Sequence, residues 1–424
     1  MFLHIDIDSF FVSAHRSIEP KYKNIPVAVG GRSNLEIFNK KRTNIRLINN
    51  NSGSFVTPVF YSDAKKTFES VFVDNIDGRK KIRGILTTSS YEAREYGVKT
   101  AMPISQALQL CPMLEIIPSN YPLYHKLSFK IHEFMQSKIP EVEQYSIDEF
   151  FGDVSGWLQD EEVYGFAKSL QKQILDTFDI PVSIGISQAK WISKLATESA
   201  KPYGIFEVKD IDKYISEIPI DAFPGIGSSY KEKLKSHMIF KLGEIKSRKR
   251  LFYSWNKPGI QLYNRVLGID NEKIEPNSNR KSVGISRTFD SIKSVMEVRR
   301  RVVIMARNIT HIIMELELNP TTYYLKINYE YGVKVKRSFR VDKIFSEKLF
   351  KYELTKMYNE IHNKNLGAIK LSINASNFIS ENKRTLSLLD LDEDIKQNIL
   401  SKYMLQLRQR YGLDIIKNAI EILE

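Results

Sequence analysis

The chain switches between two rhythms of apolar and polar positions. It opens on a strand rhythm, MFLHIDIDSFFVSAH, in which Leu3, Ile5 and Ile7 alternate with His4, Asp6 and Asp8 before the spacing turns helical. IPVAVGG, from Ile25 to Gly31, predicts a second buried strand closed by glycines. GILTTSSYEAREYGVKTAMPISQALQLCP predicts a β-rich piece, a helix, a turn at Met102-Pro103 and another helix. The short strand LEIIPS follows, then YPLYHKLSFKIHEFMQSKI at helical spacing. VEQYSIDEFFGDVS reads as a hairpin, EEVYGFAKSLQKQILDTFD as a helix and PVSIGIS as a buried strand. AKWISKLATESAKPYG is a helix stopped by Pro202 and Gly204. That order predicts an α+β core, a sheet covered by helices.

Three stretches break or change the rhythm. Arg32 to Lys81 mixes basic, aromatic and Asn/Ser-rich pieces without a sustained period, and it reads as an insertion with some structure of its own. From about Lys209 short helices surround FPGIGSSYKEKLKSHMI, and the polar NEKIEPNSNR, Asn271 to Arg280, reads as a linker. The third stretch is regular: strand, helix, two strands meeting at Gly332, helix, strand, a β-α-β-β-α-β unit. In it Tyr323, Leu325, Ile327, Tyr329 and Tyr331 share one face, and Tyr324, Lys326, Asn328 and Glu330 share the other. Val333, Val335, Phe339 and Val341 on the next strand oppose Lys334, Lys336, Ser338 and Arg340. The tail from Phe378 to Glu424 holds a leucine-rich acidic piece and one amphipathic helix. A chain of 424 residues exceeds one compact core, so three or four domains are expected.

Composition narrows the class. No run of about 18 apolar residues predicts a membrane span, and the acidic opening has no basic leader pattern. Cys111 is the only cysteine, which excludes internal disulfides and points to a reducing, cytoplasmic setting. A net charge of +13 favours a polyanionic partner, nucleic acid first, although a basic soluble protein without such a partner has the same balance.

Four constellations carry chemistry. Asp6 and Asp8 lie on one face of the first strand, where burial is costly unless the acids are paired or bound to metal; a solvated strand end or a helix cap is the plainer reading. SIDE, Ser146 to Glu149, adds two acids on the hairpin, so both clusters converge at one sheet edge. Hard oxygen donors of this kind suit Mg²⁺ beside phosphates. YEAR sets Tyr91 and Arg94 three residues apart, and AKPYG sets Lys201 at a helix end; both cations suit phosphate oxygens, and each alone is also an ordinary surface charge. PGIG, Pro224 to Gly227, leads into a helix N-terminus that can face a DNA phosphate, or is a plain turn between helices; the basic run Lys231 to Arg250 favours DNA. A solvated sheet face is polar in any case; the excess of Lys and Arg over acids on the polar face of the last sheet is what suits the DNA backbone.

Taken together, DIDSFFVS, YEAREYGVKTAMP, YSIDE, VSIGIS, AKPYG, PGIG and RKSVGISRTF resemble the Y-family translesion DNA polymerases, on the side of the bacterial polymerase IV (DinB-like) and polymerase V catalytic subunits. The similarity runs from residue 1 to about 378. It implies a right-hand polymerase: palm over 1–11 and 113–208, short fingers over 12–112 with an insertion at about 32–81, and a helix-hairpin-helix thumb over 209–270. A linker over 271–280, a little finger over 281–378 and a tail over 379–424 complete it.

The resemblance also implies roles. Asp6 and Asp148 ligate two Mg²⁺ ions, with Mn²⁺ a substitute, Glu149 stands beside the attacking 3′-OH, and the Ile7 carbonyl adds a ligand. Tyr91, Arg94 and Lys201 grip the incoming dNTP triphosphate with help from Thr88; Phe11 is the steric gate against a ribose 2′-OH; Leu86 and Thr87 roof the base pair. Asp8 supports the site without ligating. The activity implied is low-fidelity, template-directed extension of primer–template DNA past damaged bases by a monomeric, nucleoid-associated enzyme, without proofreading. Two other readings stand beside it: an inert DNA-binding relative that has lost its carboxylates, and a two-metal nuclease, which leaves YEAR and AKPYG unexplained. TLSLLD, Thr385 to Asp390, resembles a sliding-clamp peptide, with Thr385 where glutamine and Leu389 where phenylalanine is expected.

Overall fold

In the computed structural model, residues 1–39, 45–48, 59–62, 66–76, 78–276, 279–379 and 390–422 are described. The chain divides into two compact units. The first comprises 1–31, 50–56 and 67–278, and the second comprises 32–49, 57–66 and 279–424.

The first unit is built on a five-stranded sheet in the order 205–207, 182–187, 2–7, 149–153, 141–144. The strand Phe2–Ile7 lies at its centre, antiparallel to both neighbours. Leu3, Ile5 and Ile7 are buried against the helices Tyr121–Gln136 and Asp160–Phe178, which explains the alternation at the start of the chain. His4 and Asp6 face the other way, towards the helix Lys190–Ala200, where Thr197 bonds His4. That helix packs tightly, because a Cβ on Gly185 would meet the Ser193 carbonyl at 2.1 Å.

Two smaller cores complete the unit. A three-stranded sheet, 85–89, 27–31, 115–118, holds Phe72, Leu86, Ile104 and Ile116. Gly30 lies under Phe72, whose ring comes within 2.5 Å of where a Cβ would stand. The helices from Ile211 to Leu267 gather Leu234, Leu242, Ile245, Phe252 and Val266 into the other core. The segment after it is anchored more firmly than its polar composition predicts. Glu272 accepts hydrogen bonds from Trp191, Gln261 and Arg265, and the Glu275 N–H donates to Glu143.

The second unit carries a four-stranded antiparallel sheet, in the order 282–292, 368–378, 320–329, 334–340, covered on one face by the helices Val295–Glu315 and Glu347–Ile361. Tyr323, Leu325, Ile327 and Tyr329 are fully buried there. Tyr331 departs from this pattern: the strand ends at Tyr329, residues 330–332 form a tight turn, and Tyr331 has φ 58° and is 90% exposed. The edge strand Lys334–Arg340 is mostly exposed: Val335 alone packs against the core, and Phe339 has the Lys356 ammonium 5.9 Å from its ring centre.

The expected insertion over 32–81 is shared between the units. Its beginning belongs to the second, where Ile37 and Phe38 enter the core and Arg300 donates to the Phe38 carbonyl at 2.5 Å. The helix Phe68–Phe72 and the paired strands Val73–Ile76 and Arg79–Ile82 belong to the first.

The tail helix Leu391–Tyr411 has its polarity inverted. Ser401 and Arg408 face inward, while Ile395, Ile399, Tyr403 and Leu407 are exposed. The inward Arg408 bonds Glu347, so an ion pair joins the half-buried Leu405 on the face that the helix turns to the core. The candidate clamp peptide lies outside the described residues apart from Asp390. No helix among the described residues is long and apolar enough to cross a membrane.

Candidate active site

The first strand and the hairpin meet in a carboxylate-rich corner. Asp6 and Glu149 are direct antiparallel partners, so their side chains leave the sheet on the same face. Residues 145–148 connect the strands Glu141–Gln144 and Glu149–Asp153, and the Ile7 N–H donates to the Asp148 carbonyl at 3.0 Å. Asp148 thereby sits at the end of the ladder beside Glu149. It is also held by its own turn, where the Ser146 hydroxyl donates to its carboxylate and its N–H donates to Ser146 Oγ at 3.2 Å.

One helix supplies the countercharge. Lys194 pairs with Glu149, and Lys201, at the end of the same helix, lies 3.0 Å from Asp6 and 2.8 Å from Glu198. Burial above all, opposed by Lys201 and reinforced by the Asp148 and Glu149 charges, leaves the Asp6 pKa raised to about 7. Asp148 is also raised, mainly by burial and partly by the Glu149 charge. More negative charge is gathered here than the two lysines neutralise.

The chain turns sharply after this strand. Ser9 adopts φ 46°, a conformation few residues other than glycine use, and starts the helix Phe10–Arg16. Asp8 accepts from the Tyr91 hydroxyl at 3.0 Å, from the Ser183 hydroxyl at 2.9 Å and from the Tyr203 N–H at 2.8 Å. Arg94 donates to Ser9 Oγ and to the Ser89 carbonyl, both at 3.2 Å, and its guanidinium lies 4.5 Å from the Tyr91 ring centre. The short helix Tyr91–Glu95 is thus docked on the Asp8–Ser9 turn.

The tertiary structure brings Asp6, Ile7, Asp148, Glu149, Lys201, Tyr91 and Arg94 together. Thr88, half-buried, is on the adjacent strand opposite Val29. Phe11 follows the turn and stacks on Tyr124, with ring centres 4.3 Å apart. Two sequence expectations change in detail. Leu86 is fully buried with Phe72 and Ile104, so it cannot roof a base pair, whereas Thr87 and Thr88 are half-buried. The thumb lysines are not all free cations: Lys231 pairs with Asp221 and Lys246 with Asp212.

Sequence reasoning missed Lys194, Ser146, Ser183 and Tyr203. Lys194 had one available signal, because it lies seven residues before Lys201 and so two helical turns away on nearly the same face.

Among the described residues, no group of three or more His, Cys, Asp or Glu side chains stands ready-made around a cation. The donor set nevertheless fits Mg²⁺. All the candidate ligands are carboxylate or carbonyl oxygens, the acids are crowded, and the lysines that hold them are ion pairs that a divalent cation can replace.

The architecture is that of a Y-family polymerase. A Y-family DNA polymerase chimera built from Dbh and Dpo4 superposes with a TM-score of 0.69 at 22% identity, covering 89% of this chain and 99% of the chimera. DinB from Sulfolobus solfataricus superposes at 0.51 with 21% identity, covering 89% and 99%. The profile of the impB/mucB/samB family matches residues 5–198, and that of its C-terminal domain matches 280–388. The chain belongs to this family, the Y-family DNA polymerases of the DinB type. Among its curated relatives, DNA polymerase IV of Staphylococcus aureus strain RF122 is 28% identical over 366 residues, 85% of this chain and 97% of that protein. The enzyme of strain JH9 is 26% identical over 395 residues, 92% and 98%.

Proposed function

We infer that this chain is a DNA-directed DNA polymerase of the translesion class, extending a primer by nucleotidyl transfer from dNTPs. The observation that carries the reading is the cross-strand pairing of Asp6 with Glu149 beside Asp148. It gathers three oxygen acids at one sheet edge, next to cations suited to a triphosphate. Bound divalent cations, Mg²⁺ by the hardness of these oxygens, would supply the charge that acidifies a 3′-OH and offsets the phosphates.

The residues of the chain do the rest. Asp6 and Asp148 hold the cations, with the Ile7 carbonyl beside them. Glu149 faces the 3′-OH. Lys201 exchanges its carboxylate partner for phosphate, Arg94 offers guanidinium hydrogens, and Thr88 adds a hydroxyl. Tyr91, tied to Asp8 by its hydroxyl, braces Arg94 with its ring. Phe11 excludes a ribose 2′-OH. The first unit supplies palm, fingers and thumb around three apolar cores, and the second supplies a little finger whose hydroxyl-rich sheet follows the DNA backbone.

The enzyme works as a cytoplasmic monomer, and Leu386 and Leu388 anchor it to a sliding clamp. The inert-relative reading finds no support in a chain that keeps all three acids. Primer extension with Mg²⁺ and dNTPs is the test: the wild type extends and Asp148→Ala does not. Equal extension by both proteins, or none by the wild type, would defeat the reading. Phe11→Ala is expected to raise ribonucleotide incorporation relative to deoxyribonucleotide at least tenfold, measured by single-nucleotide extension.

A further inference from the structure

The Phe11 ring is braced by a hydrogen-bonded pair, Tyr124 and His15. Tyr124, on the helix Tyr121–Gln136, is fully buried. Its ring lies nearly parallel to Phe11, at 20° and 4.3 Å between centres. Its hydroxyl is 2.9 Å from Nε2 of His15. His15 is four residues after Phe11 on the helix Phe10–Arg16, so both side chains leave that helix on one face, one turn apart. Tyr124 bridges the two, ring to Phe11 and hydroxyl to His15.

The remaining contacts leave Tyr124 little freedom. Phe10 and Tyr121 pack against it at 6.0 and 5.8 Å between ring centres, and His15 meets it edge-on at 79°. His15 is itself buried, and its Nδ1 has no hydrogen-bond partner among the described residues. The Tyr124 hydroxyl is therefore the polar contact that orients the imidazole. Burial holds His15 at a pKa of about 4, against a small upward pull from Glu19, so the imidazole is neutral near pH 7 and suited to a neutral hydroxyl.

We propose that His15 and Tyr124 are positioning residues for sugar selection. Their hydrogen bond sets the plane of the Tyr124 ring, and the stack transmits that plane to Phe11. A gate that merely fills space can swing aside for a 2′-OH. A gate clamped by a stack must first break it, and an aromatic stack of this kind is worth about a two- to tenfold preference. The proposal rests on the reading of Phe11 as the gate, and the experiment separates the two.

Single-nucleotide extension measures the ratio of ribonucleotide to deoxyribonucleotide incorporation for the wild type, Phe11→Ala, Tyr124→Phe, His15→Leu, His15→Gln and the Tyr124→Phe/His15→Leu double variant. Tyr124→Phe removes one oxygen and keeps the ring, so folding is preserved even if His15→Leu fails to fold. Tyr124→Phe and His15→Leu each keep the stack and remove only the hydrogen bond, a bond worth about a two- to tenfold factor, so each is expected to raise the ratio by up to about that factor. The double variant is expected to match the single ones, because both remove the same bond. His15→Gln, which can still bond the hydroxyl, is expected to return the ratio towards the wild-type value. If Phe11→Ala raises the ratio while Tyr124→Phe leaves it at the wild-type value, the positioning role is overturned and the gate stands. A parallel loss of both activities with an unchanged ratio overturns it too. If Phe11→Ala itself leaves the ratio unchanged, the gate reading falls and takes this proposal with it.

Discussion

Buried charge is handled in opposite ways at two places in this protein. In the first unit, Asp6, Asp148 and Glu149 crowd one sheet edge, and the Asp6 and Asp148 pKa values are pushed up by burial and by neighbouring acids. In the second unit, a buried network lies behind the sheet. Arg307 pairs with Glu421 and Asp414, both at 2.7 Å; Lys351 pairs with Glu347 at 2.6 Å and with Glu421 at 3.1 Å; Arg408 also holds Glu347. Burial there would raise the Glu347 pKa, but Arg408 and Lys351 outweigh it and hold the carboxyl below its ordinary range. The matched network fastens the end of the tail to the helical layer. The unmatched corner keeps its charges in tension, an arrangement that sites taking up an external cation or phosphate commonly share.

The largest test of this contrast is Asp148→Asn. Extension is expected to fall about a thousandfold or more. Thermal stability is expected to stay level or rise, because a crowding charge is gone while the Ser146 hydroxyl keeps an acceptor. A marked drop in Tm alongside the lost activity would make Asp148 structural and erase the contrast.

Arg307→Met should do the reverse. It leaves Glu421 with Lys351 alone and Asp414 with Lys417, and breaking a buried pair on one side costs about 3–5 kcal/mol. Urea or thermal unfolding followed in the second unit reads this directly. A change below about 1 kcal/mol would show the network to be dispensable.

The smallest effect concerns pH. Burial lowers the pKa of His125, His132, His311 and His362, and holds His15 at about 4. The folded state resists protons that the unfolded chain takes up from about pH 6.5 downward. Stability from these groups is therefore complete above about pH 6.5 and is lost as pH falls towards 4, so Tm is expected to drop between pH 7 and pH 5. The raised Asp6 and Asp148 carboxyls act in the opposite sense, taking up protons in the fold over the same range, so a flat or rising Tm would mean that they outweigh the histidines.

Much of this was legible in the chain. The alternation around Asp6 places that acid on the face opposite the buried Leu3, Ile5 and Ile7, because a strand has period two. VEQYSIDEFFGDVS was legible as a hairpin because polar and turn residues interrupt two apolar runs. The division of residues 32–81 between two units was not, since nothing local tells Ile37 and Phe38 which core they fill. The inverted tail helix was misread for a related reason. Arg408 looks solvated on a helical wheel, and only the distant Glu347 makes its burial tolerable.

The residue types, their periodicity and the adjacency of Asp148 and Glu149 therefore belong to the sequence alone. So does the expectation that these acids lie near Asp6. The register that sets Asp6 opposite Glu149, the lysines that hold the carboxylates, the Tyr91–Asp8 bond and the stack of Phe11 on Tyr124 belong to the tertiary structure. The physical reason is range. Backbone periodicity acts over a few residues, whereas charge pairing and ring stacking act between side chains more than a hundred positions apart, as in Phe11 with Tyr124 and Asp6 with Lys201, and they exist only once the fold has brought them together.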